Sequence, residues 1–269
     1  MRNLLLILLC LPMIGFGQLT MIPDPNFEQK LIDLGYDNLL DGSVNTASID
    51  TVTYLFVTNS NISDLTGIED FTSLTSLSCD NNQLTSLDVS QNIALVDLNC
   101  RTNLLTSLDV SQNTSLIFLY CDNNQLTTLN LNGAISLGAV RANYNQLTSL
   151  DLSTNTQLEV LEVTGNKLTS LDVSQNPVLN RLDCEGQNWP NSQLTSLDLS
   201  QNSNLQYLNC GQNQLTYLNL NGAVSLETLY CHENELTSLD LSTNTILTGI
   251  WCPYNQITSL DLTQNINTN

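Results

Sequence analysis

A unit of 21 residues built around leucine recurs down almost the whole chain. It is clearest as Leu74-x-x-Leu77-x-Cys79-x-x-Asn82-x-Leu84-Thr85-Ser86-Leu87-Asp88-Val89, and it restarts at Leu95, Leu116, Leu137, Leu158 and Leu179. An insertion of five residues around Trp189-Pro190, near 186–192, delays the next start to Leu205; Leu226 and Leu247 follow. A fixed period of this length marks a solenoid, in which each turn buries its apolar side only against its neighbours. It overrides the two domains that a length of 269 residues would otherwise admit. A solenoid displays one face of many turns to a partner, so the repeat favours binding over chemistry.

The formal net charge is −20 and the isoelectric point lies near 4.1. Such a chain is repelled by nucleic acid and by anionic membrane surfaces, which excludes both as expected partners. Residues 1–17 have the pattern of a signal peptide: a positive start at Met1-Arg2-Asn3, an apolar run from Leu4 to Leu11, then Pro12 and the small residues of Gly15-Phe16-Gly17. Cleavage is expected before Gln18. The apolar run is too short to span a bilayer, so an exported chain without membrane insertion is predicted. Cys10 does not fit a lipid-attachment site, because Leu9 is bulky and the apolar run continues past it.

Eight cysteines in an exported chain would ordinarily indicate a disulfide framework. Here Cys79, Cys100, Cys121, Cys184, Cys210, Cys231 and Cys252 all hold one position of the repeat, and Ala142 and Val163 hold it in two other turns. Exchange with alanine and valine identifies a small buried hydrophobe. Neighbouring turns lie about 4.8 Å apart, within disulfide range, but in-register side chains on parallel strands point alike. Free thiols are expected. A zinc site needs converging ligands rather than a single file, so neither metal nor cofactor is predicted.

Residues 18–51 read as an N-terminal cap. Asp24-Pro25 suits a helix N-cap with proline at the first helical position. Phe27, Leu31 and Leu34 follow at helical spacing, and Gly35 can end the helix. Asp37, Asp41 and Gly42 resemble part of a calcium loop, but Leu39 and Ser48 stand where oxygen ligands would be needed, so an acidic turn is the expectation. The first turn, Val52-x-x-Leu55-x-Val57, has a different second half, Ile62-Ser63-Asp64-Leu65-Thr66-Gly67-Ile68. The repeat domain, 52–269, then holds about ten rungs.

The segment LxxLxCxxNxL resembles the constant half of leucine-rich repeats. The first rung, ending in Asn61 to Ile68, is similar to internalin-type repeats of bacterial surface proteins, and the later LTSLDVSQN halves are similar to a 21-residue bacterial class. The resemblance covers residues 52–265. It implies an α/β-type but mostly β solenoid, a right-handed leucine-rich repeat superhelix with a parallel concave β-sheet, and recognition of a protein or glycan. It also implies a secreted or cell-surface location. Similar proteins of Gram-negative bacteria often carry a C-terminal sorting domain; a Gram-negative origin is expected, although this sequence shows no such domain.

Leu77, Cys79, Leu84, Leu87, Val89 and their equivalents are predicted to point inward. Asn82, Asn103, Asn124, Asn145, Asn166, Asn213, Asn234 and Asn255 form a ladder, with Asn188 filling the remaining rung, and should bond backbone groups of adjacent turns. The alternation of Leu87, Asp88 and Val89, with Thr85 and its equivalents beside it, predicts a short convex β-strand in each turn. Asp88, Asp109, Asp151, Asp172, Asp198, Asp240 and Asp261 form an outward file interrupted by Asn130 and Asn219. One carboxylate per rung is too few for calcium, so these are read as solvated or turn-bonded groups. Leu129 to Ala134 recurs as Leu218 to Ala223, which points to duplication of a four-rung block.

One column does not repeat. Between the inward leucine and cysteine it runs Phe56, Ser78, Asn99, Tyr120, Arg141, Glu162, Asp183, Asn209, Tyr230, Trp251. Its expected concave neighbours are Tyr54, Phe118, Arg101, Tyr144, Arg181, Tyr207, His232 and Tyr254. Tyrosine, tryptophan and arginine are the types enriched at binding hot spots. The candidate ligand-binding residues are therefore Tyr54, Phe56, Phe118, Tyr120, Arg141, Tyr144, Tyr207, Tyr230, His232, Trp251 and Tyr254. Drift on an unconstrained surface is the competing explanation.

Catalysis is not expected. His232 is the one histidine, and Cys231 beside it points to the other face of the strand. Glycine-rich phosphate loops, CxxC pairs and metal-spaced histidines are missing. A structural or adhesive surface module without a single ligand is the alternative to a binding module. The tail Ile266-Asn267-Thr268-Asn269 would leave Ile250, Cys252, Ile257, Leu260 and Leu262 of the last rung uncovered, which predicts either a longer protein or end-to-end self-association.

Overall fold

The computed structural model describes residues 17–186 and 194–265. The expected leader up to Phe16, the insertion with Asn188, Trp189 and Pro190, and the tail 266–269 lie outside the described residues. Ten parallel three-residue strands, from Tyr54–Phe56 to Gly249–Trp251, pair in chain order into one sheet. The register is strict: Leu55 lies beside Leu77, Leu98 beside Leu119, and Leu229 beside Ile250. The middle residue of each strand points into the coil and its two neighbours point out, as the period of two requires. Bonding continues past the strands, for example from Cys79 N to Asn99 O (2.8 Å) and from Asn81 N to Arg101 O (3.0 Å). The concave backbone is thus held almost entirely by backbone.

The inward leucines and cysteines build one continuous core; Leu77, Cys79, Leu84 and Val89 are fully buried. A buried leucine contributes roughly 1.5–3 kcal/mol, whereas an exposed ion pair contributes about 0.2–1 kcal/mol, so the core rather than the surface pairs holds the stack. Cys79, Cys100, Cys121, Cys184, Cys210 and Cys231 are buried free thiols, and Cys252 is half-buried. Burial pushes the Cys100 thiol up to about 12 and raises Cys79 and Cys121 as well, which keeps them protonated and inert.

The expected asparagine ladder is structural. Asn103 Nδ2 donates to Cys79 O (3.0 Å) and Cys100 O (3.1 Å), while its Oδ1 accepts from Leu84 N (3.0 Å). Asn124 and Asn145 repeat the pattern one and two turns on. A second ladder lies on the opposite side. Asn113 Nδ2 donates to Val89 O (2.9 Å) and Asn92 O (3.0 Å) of the preceding turn. Asn92, Asn155, Asn176, Asn202 and Asn244 do likewise, and all are fully buried.

The convex side departs from expectation. Paired strands form there at only two places among the described residues, Ser107–Asp109 with Thr128–Asn130 and Ser196–Asp198 with Tyr217–Asn219. Both are steps from aspartate to asparagine, and Asn219 Nδ2 donates to Asp198 Oδ1 (2.9 Å). Steps from aspartate to aspartate do not pair, and neither do the steps from Asn130 to Asp151 and from Asn219 to Asp240, so like charge alone does not set the pairing. Leu87 and Leu150 are half-buried, whereas Leu171 and Leu239 in other unpaired turns are buried. The acidic file is turn-bonded: Asp109 Oδ1 accepts from Ser111 N (2.8 Å), and Asp172 and Asp240 do the same two residues on. The bonds from Ser111 hold the Asp109 carboxyl below its usual range.

The cap carries the helix Pro25–Asp33 with Asp24 as N-cap. Asp24 Oδ1 accepts from Asn26 N (2.8 Å) and Phe27 N (3.1 Å), while Oδ2 accepts from Ser63 N (2.7 Å) and Asp64 N (3.0 Å), tying the helix to the first rung. Burial pushes this carboxyl up, but those hydrogen bonds outweigh it. Phe27 stacks on Phe71 with centroids 6.4 Å apart. Asp41 closes a turn by accepting from Ser43 Oγ (2.9 Å), and Glu28 Oε1 accepts from the backbone N of Asp41, Gly42 and Ser43.

Candidate functional site

The concave sheet presents three outward columns: the first and third residue of each strand, and the residue two beyond. Tyr54 and Phe56 flank Leu55 on the first strand and are both more than half exposed. Phe118 and Tyr120 stack with centroids 6.4 Å apart. The Arg101 guanidinium lies 4.4 Å over the Tyr120 ring, and that of Arg141 lies 5.7 Å from it.

The arginines are also ion-paired. Arg101 Nε lies 2.5 Å from Asp122 Oδ2, and Arg141 Nε lies 3.3 Å from Glu162 Oε2. Arg181 Nε reaches Glu162 Oε1 (2.9 Å) and its Nη2 reaches Asp183 Oδ2 (3.6 Å), while the guanidinium covers the Tyr207 ring at 3.9 Å. Burial pulls the Arg181 pKa down, but Glu162 outweighs it and the net shift is upward. Burial raises Asp183, and the bond from Thr164 Oγ1 (2.7 Å) only partly offsets it.

A second aromatic group follows on the last three strands. Tyr207 and Tyr230 are tilted with centroids 5.9 Å apart, and Trp251 is 56% exposed. His232 lies across Gly211, where an added Cβ would meet the ring at 2.3 Å, and its Nε2 approaches Glu185 Oε1 (3.4 Å). Glu185 Oε2 accepts from Asn209 Nδ2 (2.9 Å). Glu185, Tyr207, Asn209, Tyr230, His232 and Trp251 line a shallow depression of about 300 Å³.

Tyr144 and Tyr254 are not on these strands. They occupy a corner just before the ladder asparagines, in left-handed backbone with φ of 56° and 57°. Asn59, Asn81, Thr102, Asn123, Gly165, Gln212 and Glu233 hold the same corner. Continued alternation would turn both side chains inward, in line with Val140 and Ile250; the left-handed bend turns them out instead, and both are exposed.

The solved functional domain of InlJ from Listeria monocytogenes, which includes a cysteine ladder, is 34% identical with a TM-score of 0.64. The alignment covers 94% of this chain and 65% of that one. Internalin J of the same species is 39% identical over 70 residues, 26% of this chain and 8% of that protein. This chain is an internalin-like leucine-rich repeat protein.

The fold alone is shared with a leucine-rich repeat protein of Leptospira interrogans (TM-score 0.74, 21% identity, 84% of this chain and 62% of that chain). The same holds for the LRIM1/APL1C complex (TM-score 0.67, 23% identity, 82% of this chain and 43% of that chain). No family model matches the chain. In this internalin-like stack the file of buried cysteines corresponds to the ladder named for InlJ. Glu185 belongs beside the aromatics of the last strands, although sequence reasoning did not single it out. Its signal was positional: it follows Cys184 as Arg101 follows Cys100 and His232 follows Cys231.

Proposed function

We propose that this chain is an exported, cell-surface binding module that recognises a protein or glycan through its concave face. Residues 1–17 serve as leader, 18–51 as cap and 52–269 as the recognition stack. The observation that carries this reading is the concentration of exposed aromatic side chains on a rigid ten-stranded sheet, Tyr54, Phe56, Phe118, Tyr230 and Trp251 among them. Aromatics exposed over several rungs are the usual mark of an interaction surface. The internalin-like relatives and a two-protein complex among the structural neighbours support the same reading.

Protein and glycan arrays probed with the intact chain test it. Tyr120→Ala, Tyr230→Ala and Trp251→Ala should each weaken the captured ligand by roughly 2 kcal/mol, about thirtyfold, as hot-spot aromatics do. Asp109→Ala on the convex side should leave capture unchanged. Equal losses from both faces, or none from the aromatics, would remove the concave face from the function.

A further inference from the structure

We propose that the depression bounded by Glu185, Tyr230, His232 and Trp251 takes the arginine or lysine side chain of a basic segment presented by a protein partner. The proposal rests on the concave face being the binding surface. Its first support is a pattern that the face repeats on itself. Arg101 covers Tyr120 and pairs with Asp122, and Arg181 covers Tyr207 and pairs with Glu162 and Asp183. Each is an aromatic ring and a carboxylate sharing one guanidinium. Tyr230, Trp251 and Glu185 form a third set of the same composition. Among the described residues no lysine or arginine pairs with Glu185; its one ionic neighbour is His232.

The electrostatics agree. Aromatic faces attract a cation within about 6 Å of the ring centroid, tryptophan most strongly. The chain carries 26 acidic and 6 basic residues, and the three arginines of the concave face are all ion-paired, so a basic segment meets attraction along the whole approach. Most of the amide and carboxylate groups around the depression are already committed within the protein. A sugar needs several uncommitted donors and acceptors beside the aromatic platform. Asn209 is committed at both ends, its Nδ2 to Glu185 and its Oδ1 to Gly211 N (3.3 Å), and Asp183 is held by Thr164 and Arg181. What is left is Glu185 Oε1, which faces His232 Nε2, and the unpartnered His232 Nδ1, beside two exposed rings in a volume of about 300 Å³ that suits a single long side chain.

Calorimetric titration of the intact chain tests this with three probes: acetyl-Gly-Arg-Arg-Gly amide, the same peptide with citrulline for arginine, and methyl β-glucoside. The arginine peptide should bind saturably, and citrulline should weaken it at least about tenfold, because its planar urea group keeps the shape of the guanidinium and removes the charge. Glu185→Gln and Trp251→Ala should each cost about tenfold, while Asp240→Asn, which removes the same unit of charge from the convex face, should change binding by less than about twofold. Circular dichroism establishes that each variant is folded. Equal losses from Glu185→Gln and Asp240→Asn would reduce the attraction to diffuse charge and overturn the proposal. Binding of the glucoside without the arginine peptide would also overturn it, yet leave the concave face as the binding surface. No binding of any probe to folded protein would overturn it too, and the array comparison would then decide the broader reading on its own.

Discussion

The two long sides of this coil solve the same problem in opposite ways. On the concave side, neighbouring turns are joined by ten in-register strands and by the backbone bonds that extend them. The outward side chains there link turns in no fixed pattern, as Arg101 does with Asp122 and Asn99 with Ser78, and from turn to turn they change from phenylalanine to serine to asparagine to tyrosine. On the convex side, paired strands are confined to two steps, and side chains take over the holding: aspartates close the turns, and buried amides bridge to the carbonyls of the turn before. Those side chains barely change along the chain. Where backbone holds backbone, the surface is free to diversify, and where side chains hold backbone, the sequence is fixed. Recognition and assembly are thereby separated onto different faces.

The largest test of that contrast compares one asparagine from each side. Asn113→Ala removes two hydrogen bonds to buried carbonyls and should cost about 2 kcal/mol, since an unsatisfied buried acceptor costs about 1–3 kcal/mol. Asn99→Ala, on the outer surface of a concave strand, loses only part-buried bonds to Ser78 Oγ (3.1 Å) and Asp80 Oδ1 (3.2 Å) and should cost about 0.5–1 kcal/mol. Urea unfolding midpoints measure both. If the two losses match, the side chains of the convex turns do not hold the backbone.

Acid offers a second, smaller probe. Hydrogen bonds from Ser111 and Ser242 keep Asp109 and Asp240 below the ordinary aspartate value of 3.8 in the folded chain. A depressed folded pKa contributes stability that is present above the unfolded value and is lost as pH falls through the folded one. Unfolding midpoints should therefore decline below about pH 4. Asp240→Asn should flatten that decline, because asparagine makes the same turn bond at Asn130 and Asn219 without titrating. An unchanged acid profile in the variant would mean that these turns contribute nothing.

The smallest effect concerns the corner between the two sides. Thr102 holds a φ of 51°, in the left-handed region that β-branched residues avoid. Thr102→Asn should raise stability by about 1 kcal/mol, matching the asparagines that Asn81 and Asn123 already place at that corner. A loss on thermal denaturation would show that threonine contributes a contact there worth more than the strain.

Much of the fold was legible in the sequence, because the signals were periodic. The period located all ten concave strands, the exchange of Cys79-type residues with Ala142 and Val163 identified a buried column, and Asp24-Pro25 located the cap helix. The second asparagine ladder was equally periodic and was missed. Asn92 and Asn113 sit in Ser-Gln-Asn runs whose polarity reads as solvent-exposed turn. Phe71, Ala134 and Ala223 replace them in other turns, the same kind of exchange that marked the cysteines as buried. Alternation alone does not place Tyr144 and Tyr254, because it would turn them inward and a left-handed corner turns them out; asparagine, threonine, glutamine and glutamate hide that bend, and only Gly165 at the same position signals it. For the candidate site, the column of aromatics could be read directly. The approach of His232 to Glu185 over Gly211 could not, since it depends on what a missing side chain lets its neighbours do.

The two braces on the convex side bear on how the stack responds to force. Where strands pair on both sides of the coil, the spacing of successive turns is clamped front and back. Elsewhere the front is laddered and the back is held by shorter side-chain links, so the turns can fan apart about the concave sheet as a hinge line. The protein is then not a uniform rod but two stiff collars joined by more compliant segments, and a pull from a bound partner would be taken up as bending between the collars.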